Sequence, residues 1–584
     1  MNLNKKILLA LLPFWDTQIP PLGIACLKGF LQEHGYQVKT IDANTEMKFR
    51  ELLDKYFDIM AAWVPEDKKG NFKSIGHDVL RNQMMAYLNY EDEKEYIELI
   101  KIIVRKTFFI DITDHQVDEL NAVAREFFHV LGAYFINLVE KEKPAVLGLS
   151  VYSGTLPASV YVFKLLKETY PHIRTVMGGG IFADDLSPGS ENFEWFLERN
   201  PYIDNIIIGE GEQLFLRLLK GELPGDQRVF TIKNNYGKVL DLSSADIPDF
   251  SDFDLEYYAY PAYYASRSCP FQCNFCSATL QWGKYRKKKA KQIVKELSKM
   301  TGKYRRQLFL LVDSLLNPII NELAHELIQA DFTIYWDGSL RVEKSFPGIK
   351  KTRLWRKAGF YRARLGIESG SPKILEAMAK GIKIEDIKNT IRSLAYAGIK
   401  TTTYWIVGYP GETEKDFQQT LDLVAELKDD IYETDFRPFF YYKTGQVKSA
   451  DWQQKNRPFT LYPEGANDTL VVRTWVLDCE PSREETYSRL NRFKETIEKL
   501  GIPNIYSLYD LYRADERWKK LHKTAVPALI RFRDPNAYIK ECKHFDRDIN
   551  INPGVSSVTQ PNPEEINRIS KFSIVKDSED YDFE

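Results

Sequence analysis

Cysteine is scarce in this chain, with six in 584 residues. That is too few for a disulfide-built scaffold, and it points to a reducing compartment, expected to be the cytoplasm. Net charge is nearly absent too. Eighty basic side chains face 82 acidic ones, for a formal charge of -2, so bulk electrostatics give no reason to expect nucleic acid as a partner. Long apolar runs are missing, and none is read as reaching the roughly 18–20 residues of a membrane span. The opening "MNLNKKILLALLPFW" has the basic-then-apolar order of a secretory leader but no small-residue cleavage site. A helix-like "PPLGIACLKGFLQEHG" follows it. The apolar run is therefore expected to be a buried strand. A nicotinamide fingerprint is lacking as well: G-x-G-x-x-G is absent from the first turn, and "GGG" at 178–180 follows a later strand.

What the chain does have is alternation. Residues 5–12 read as a strand, and the next helix carries Ile24, Leu27, Phe30 and Leu31 on one face, with Gly35 at its C-terminal cap. "YQVKTIDA" reads as a second strand. Residues 46–141 are charged and helical in period, and are expected to be a helical insertion. The α/β rhythm resumes at "PAVLGLSVYSG" and runs through "TVMGGG" and "NIIIGEG". Residues 1–225 are thus expected to form a doubly wound, Rossmann-like α/β domain interrupted by the insertion. Residues 226–262 read as an ordered linker. From Tyr263 to 442, strands near 263–267, 307–313, 332–340, 361–368, 400–408 and 431–442 alternate with helices, as in a partial, open (β/α)6 barrel. Residues 443–584 lose that rhythm and are expected to be an α-rich region ending in an acidic tail. Their aromatics either cap a substrate pocket or form a small core of their own.

Three of the six cysteines fall within eight residues, as Cys269, Cys273 and Cys276 in "SCPFQCNFCSA". Structural zinc takes four ligands, and no His lies near. A 4Fe-4S cluster also takes four, so three thiolates leave one iron open to an exchangeable ligand. The loop follows the first barrel strand, where barrels build their sites. Cys26, Cys479 and Cys542 are scattered and are expected to be buried core residues.

This spacing and place resemble the radical S-adenosylmethionine (SAM) superfamily, over about residues 260–442. The resemblance implies that the open iron chelates SAM, which is cleaved by an electron to a 5'-deoxyadenosyl radical. It also implies a polar turn at Asp313 and Asn317, and a role for Arg341 past the third strand. In "RARLGIESGSPKILEAMAKG" it places Glu368 and Ser369 at the ribose or amino-acid part of SAM. In "TTTYWIVGYPGETEKDF" it places Ile406, Val407 and Gly408 near the adenine.

Taken with the N-terminal domain, the chain resembles the cobalamin-binding radical SAM enzymes over about residues 1–440. The matching stretches are "IPPLGIACLKGFLQEHGYQV", "VLGLSVYSGTLPASVYVFKLLKE", "VMGGG" and "IIIGEGE". The loops with Ser150, Ser153, Thr155, Gly178, Gly179, Gly180, Gly209 and Glu210 would then hold the corrin and its nucleotide tail. Asp-x-His-x-x-Gly, whose His ligates cobalt elsewhere, is absent. Either cobalt has no His ligand from the protein, or the domain does not bind cobalamin. The implied activity is methyl transfer to an unactivated carbon of a small molecule, peptide or lipid, with flavodoxin or ferredoxin as electron donor. The alternatives are a radical rearrangement or cyclisation, and a non-catalytic cofactor-binding protein. The basic run "KYRKKKAKQ" reads as a solvated helix face.

Overall fold

The computed structural model describes residues 6–522, apart from 16, 17, 244, 246, 331, 344–347 and 505–507. The acidic tail, Cys542 and Tyr506 lie outside the described residues. Two six-stranded parallel sheets organise the rest. The first holds β1 (Ile7–Leu11), β2 (Val38–Asp42), β3 (Val146–Ser150), β4 (Arg174–Gly178), β5 (Asn205–Ile207) and β6 (Val229–Phe230), in the order β2-β1-β3-β4-β5-β6. Every pairing is parallel. The order reverses between β1 and β3, which opens a crevice at the carboxyl edge there. The strands are nearly continuous apolar runs because helices cover both faces: Ile7–Leu11 are all buried. The expected linker is thus partly sheet. A two-residue edge strand such as β6 is too short to show alternation in the sequence.

The insertion is helical, as expected, from Met47–Trp63 to Asp114–Glu142. The latter helix is long and apolar enough, by length and composition alone, to cross a membrane, yet it lies within the fold. Its apolar residues are spread by helical spacing, so no contiguous run announces them. Val117, Leu120, Phe127 and Leu131 are buried, while Asp118, Glu119 and Arg125 are exposed. It packs against the helices Met47–Trp63 and Leu156–Thr169 as part of the core.

The second sheet starts with β7 (Ala262–Tyr263). A short antiparallel hairpin follows, β8 (Ser266–Arg267) with β9 (Arg286–Lys287). Then come β10 (Leu308–Leu311), β11 (Tyr335–Leu340), β12 (Phe360–Glu368), β13 (Lys400–Val407) and β14 (Glu433–Pro438). The order β14-β13-β12-β11-β10-β7 is that of an open barrel. Along β12, Ala363, Leu365 and Ile367 join the helix-covered core. Arg362 and Arg364 face the lumen instead and converge on Asp337, Arg362 at 2.7 Å and Arg364 at 2.9 Å, with Glu433 and the Tyr260 hydroxyl beside them. This network fills the lower lumen. The helix Leu508–Leu521 crosses beneath: Asp515 pairs with Lys400, the first residue of β13, and accepts from the Tyr432 hydroxyl, while Trp518 is buried against Tyr432.

The C-terminal region is not purely helical, because Arg457–Thr460 and Trp475–Asp478 form an antiparallel pair. It knits the halves together. Asn82 of the insertion donates to the Tyr462 hydroxyl (2.9 Å), and Arg473 pairs with Asp78 (2.7 Å). The insertion also reaches the barrel directly, Asn71 donating to the Phe436 carbonyl of β14 (3.0 Å).

Candidate functional site

The hairpin β8–β9 ties off the cysteine loop at its base. Ser268 adopts φ +72 and donates its hydroxyl to the Gly283 carbonyl at 2.6 Å. Cys273 is buried, and Cys269 and Cys276 are half-buried. Two other regions fix the loop. From the barrel, the Met378 carbonyl accepts the Asn274 N–H (3.0 Å) and the Ala377 carbonyl accepts its side-chain amide (2.6 Å). From the C-terminal region, Lys448 N–H donates to the Asn274 carbonyl (3.1 Å), Val447 N–H to the Cys276 carbonyl (3.2 Å) and Gln446 to the Phe275 carbonyl (3.0 Å). Arg341 donates from Nη1 to Cys273 Sγ at 3.1 Å and lies 4.0 Å over the Phe271 ring. The Ala278 N–H donates to Cys276 Sγ at 3.4 Å. Burial pushes the Cys269 and Cys276 thiols up, against the pull of the Phe271 and Ala278 N–H groups. Among the described residues, no three His, Cys, Asp or Glu converge as ligands of a single ion.

The other expected barrel residues divide. Glu368 (φ +69) accepts from Lys380 Nζ at 2.7 Å, and Lys380 lies 5.6 Å over the Phe275 ring of the cysteine loop. A Cβ at Gly366 would come within 2.5 Å of Glu368 Oε1, so that glycine makes room for the pair. Arg341, Glu368 and Lys380 thus stand together beside the cysteine loop. Asp313 serves it from behind: its carboxylate accepts from the Ala265 N–H (3.0 Å) and the Ser266 hydroxyl (2.5 Å), and burial raises its pKa to about 6. Asn317 exchanges two 2.8 Å hydrogen bonds with the Arg341 backbone. Ser369 is buried and accepts from the Ser371 N–H (3.1 Å), and Val407 is core. Ile406 is half-buried. Gly408 (φ +77) donates its N–H to Glu412 and packs where a Cβ would strike Thr486.

A second set of residues lines one cavity of about 690 Å³ at the carboxyl edge of the first sheet. Ser150, Ser153, Gly178, Gly179, Gly180, Gly209 and Glu210 all border it. Thr155 does not. It is fully buried, and its hydroxyl accepts from the Tyr152 N–H at 3.0 Å, closing the turn under Ser153. The cavity's inner end is an apolar slot between Leu9, Gly148, Val176 and Phe215, and a Cβ at Gly148 would close onto Leu9 at 2.6 Å. Gly209 (φ +90) has nothing within 4 Å of its would-be Cβ. Trp15 stacks on Tyr152 at 4.2 Å along the wall. A deep slot joined to a wide, glycine-edged mouth suits a large planar group with a tail. Among the described residues, no histidine borders the cavity. His34 sits at the C-cap of the helix Leu22–Glu33, its Nδ1 2.8 Å from the Phe30 carbonyl. On the far side, the same cavity is bordered by Ser266, Arg267, Ser268, Gln281 and Trp282 of the cysteine-loop hairpin, and by Val312, Ser314, Arg437, Tyr442 and Arg473.

Residues 263–424 match the family model of the radical SAM superfamily, and residues 97–219 match that of the B12 binding domain. The chain thus carries a radical SAM domain. It joins that domain to a B12-binding one, so its cofactors are a 4Fe-4S cluster, SAM and cobalamin. It is 29% identical over 322 residues to the anaerobic magnesium-protoporphyrin IX monomethyl ester cyclase of Rubrivivax gelatinosus, covering 50% of this chain and 55% of that protein. To the cobalamin-dependent radical SAM methyltransferase TokK of Streptomyces tokunonensis it is 27% identical over 320 residues, covering 49% and 45%. The chain therefore spans about half the length of these curated relatives. The radical SAM methyltransferase TsrM from Kitasatospora setae, solved with cobalamin and a 4Fe-4S cluster bound, aligns over 88% of this chain and 99% of its own. The TM-score is 0.53 at 13% identity, a likeness of fold.

Sequence reasoning missed Lys380, Arg267 and Glu212. Lys380 closes the quoted "EAMAKG", and a lone basic residue twelve positions past a strand-end Glu carries no period that marks it. Of the scattered cysteines, Cys26 is buried as expected and its thiol is pushed up to about 12 by burial and Glu212. Cys479 departs from the expectation and is only half-buried, following the short strand Trp475–Asp478.

Proposed function

We propose that this chain is a cobalamin-dependent radical SAM methyltransferase acting on an unactivated carbon. The observation that carries the reading is the shared cavity: the glycine-edged mouth of the B12-binding sheet and the hairpin of the cysteine loop border the same space. When bound, the cluster supplies the electron that cleaves SAM, and cobalamin carries the methyl group. The chain's own residues hold these parts in register. Cys269, Cys273 and Cys276 would hold the cluster, with Arg341 stabilising the charge on Cys273. Glu368, oriented by Lys380, offers its remaining oxygen to a hydroxyl or ammonium of SAM. Ile406 would lie near the adenine, with Ser369 and Gly408 in the turns beside it, while Val407 packs in the core beneath. The filled lower lumen excludes water from beneath. Arg437, Tyr442 and Arg473 line the barrel side of the mouth, where a small-molecule or peptide substrate would enter. The electron would come from a flavodoxin- or ferredoxin-like donor, and the sparse, unpaired thiols support a reducing compartment such as the cytoplasm.

The test is product analysis. The reconstituted, cobalamin-loaded enzyme is incubated anaerobically with SAM, a reductant and metabolite or peptide pools. Methyl transfer yields both 5'-deoxyadenosine and S-adenosylhomocysteine. The cyclase among the relatives favours a second reading, radical cyclisation, which gives 5'-deoxyadenosine without S-adenosylhomocysteine. Neither product would leave a non-catalytic binding protein.

A further inference from the structure

A buried ionic cluster lies at the seam between the two sheets, outside the chemistry described so far. Glu210 and Glu212 stand at the start of the helix Gly211–Lys220, directly after β5. Arg267 of β8 reaches both, with Nη2 2.5 Å from Glu212 Oε1 and Nη1 3.1 Å from Glu210 Oε1. Arg286, its partner across the hairpin on β9, donates to Glu210 Oε1 at 2.6 Å and to the Leu240 carbonyl at 3.0 Å. The other Glu210 oxygen accepts the Leu240 N–H at 2.7 Å. All four side chains are at most 18% exposed. The Arg267 guanidinium is further held over Tyr264 (4.7 Å) and Trp282 (5.5 Å). One arginine therefore stands on each leg of the cysteine loop, and both legs are tied to the edge that borders the cavity.

Charges this well buried hold their geometry strongly, because releasing either partner leaves the other unpaired away from water. Glu210 shows the effect: burial would raise it, but the hydrogen bond from Arg286 and the charge of Arg267 hold it below the usual carboxylate range. The pairing needs both the hairpin and the β5 edge in place at once. Whatever orders one side therefore favours the other, and by linkage the effect runs equally in both directions.

We propose that Glu210 and Glu212 are positioning residues that clamp both legs of the cluster loop to the cobalamin-binding edge, so that loading either cofactor tightens the hold on the other. This rests on the reading of the cavity as the cobalamin site. It moves Glu210 from a direct cofactor contact to a residue acting through Arg267 and Arg286.

The test measures hydroxocobalamin affinity by equilibrium dialysis on cluster-free and cluster-loaded protein. In the wild type, the loaded form should bind about tenfold more tightly, a coupling of ordinary size. In Arg286→Met and in Glu212→Gln that factor should fall to about one, and in Arg286→Met, whose side chain does not border the cavity, the cluster-free affinity should stay within about twofold of wild type. Equal affinity of the two wild-type forms, or an undiminished factor in both variants, overturns the clamp. If the wild type takes up no hydroxocobalamin, the cobalamin reading fails, and the clamp is judged separately by iron release to a chelator from cluster-loaded protein. Release about tenfold faster in the variants upholds it, and equal rates overturn it. Should a variant fail to fold, Arg286→Lys takes its place with the same two outcomes, since lysine keeps the charge but cannot form the fork.

Discussion

Glu368 shows how a residue assigned by its neighbourhood gains a physical argument from its partner. It is 7% exposed and paired with Lys380, so removing either partner leaves the other buried and unpaired. Glu368→Ala should weaken SAM binding by about 10- to 100-fold, the worth of a charge-assisted hydrogen bond, while the iron content is unchanged. Glu368→Gln, which keeps an acceptor, should fall between the two in the same titration. Asp313 behaves in the opposite sense. Burial lifts its pKa from 3.8 to about 6, so the folded chain keeps this proton over a range in which the unfolded chain has lost it. Its contribution to stability is therefore complete below about pH 4, declines as pH rises toward 6, and is flat above, amounting to about 3 kcal/mol. Asp313→Asn removes that slope. The stability of the variant relative to wild type, from urea midpoints between pH 4.5 and 7.5, should improve with rising pH and then level off. The three cysteines were legible from spacing alone. The residues that hold their loop (Asn274, Gln446 and Lys380) were not, because each acts through a partner distant in the chain.

Periodicity carried most of the elements, and its failures have causes. Strands in both sheets were legible because buried parallel strands are short apolar runs between turn residues. β6 was hidden in the presumed linker, since two residues cannot alternate. The helix Asp114–Glu142 was legible as a helix but not as a span-length one, since its apolar stripe never becomes a run. The glycine edge after β4 was legible as a motif but not in its mechanics. Gly179 sits at φ +118, and a Cβ there would lie 2.4 Å from the Val151 backbone N and O. Gly179→Ala should cost about 2–4 kcal/mol through strain and overpacking, and displace the Val151–Thr155 turn. Thermal unfolding with and without hydroxocobalamin should show both a lower midpoint and a smaller ligand-induced rise.

For the molecule as a whole, the cobalamin reading rests on the cavity at the carboxyl edge of the first sheet, and His34 sits apart from that cavity at a helix C-cap. His34→Ala should therefore retain cobalamin with an unchanged visible spectrum and an unchanged cobalt(II) resonance. Loss of a nitrogen hyperfine signal in that variant would show that His34 reaches the metal after all. The C-terminal region was the least legible part, because its aromatics report burial without saying against what. Tyr462 and Arg473 turn out to bind it to the insertion, some 380 positions away in the chain. The pairing of Lys400 with Asp515 beneath the barrel, together with the arginines and Asp337 above it, carries a last consequence for traffic. A vessel stoppered at its base is filled from its mouth. Whatever enters first is covered by what enters next, and the last to arrive must be the first to leave. Turnover in such a vessel is a queue, and dead-end inhibition patterns should show compulsory order, with the larger guest seated before the smaller ones are admitted.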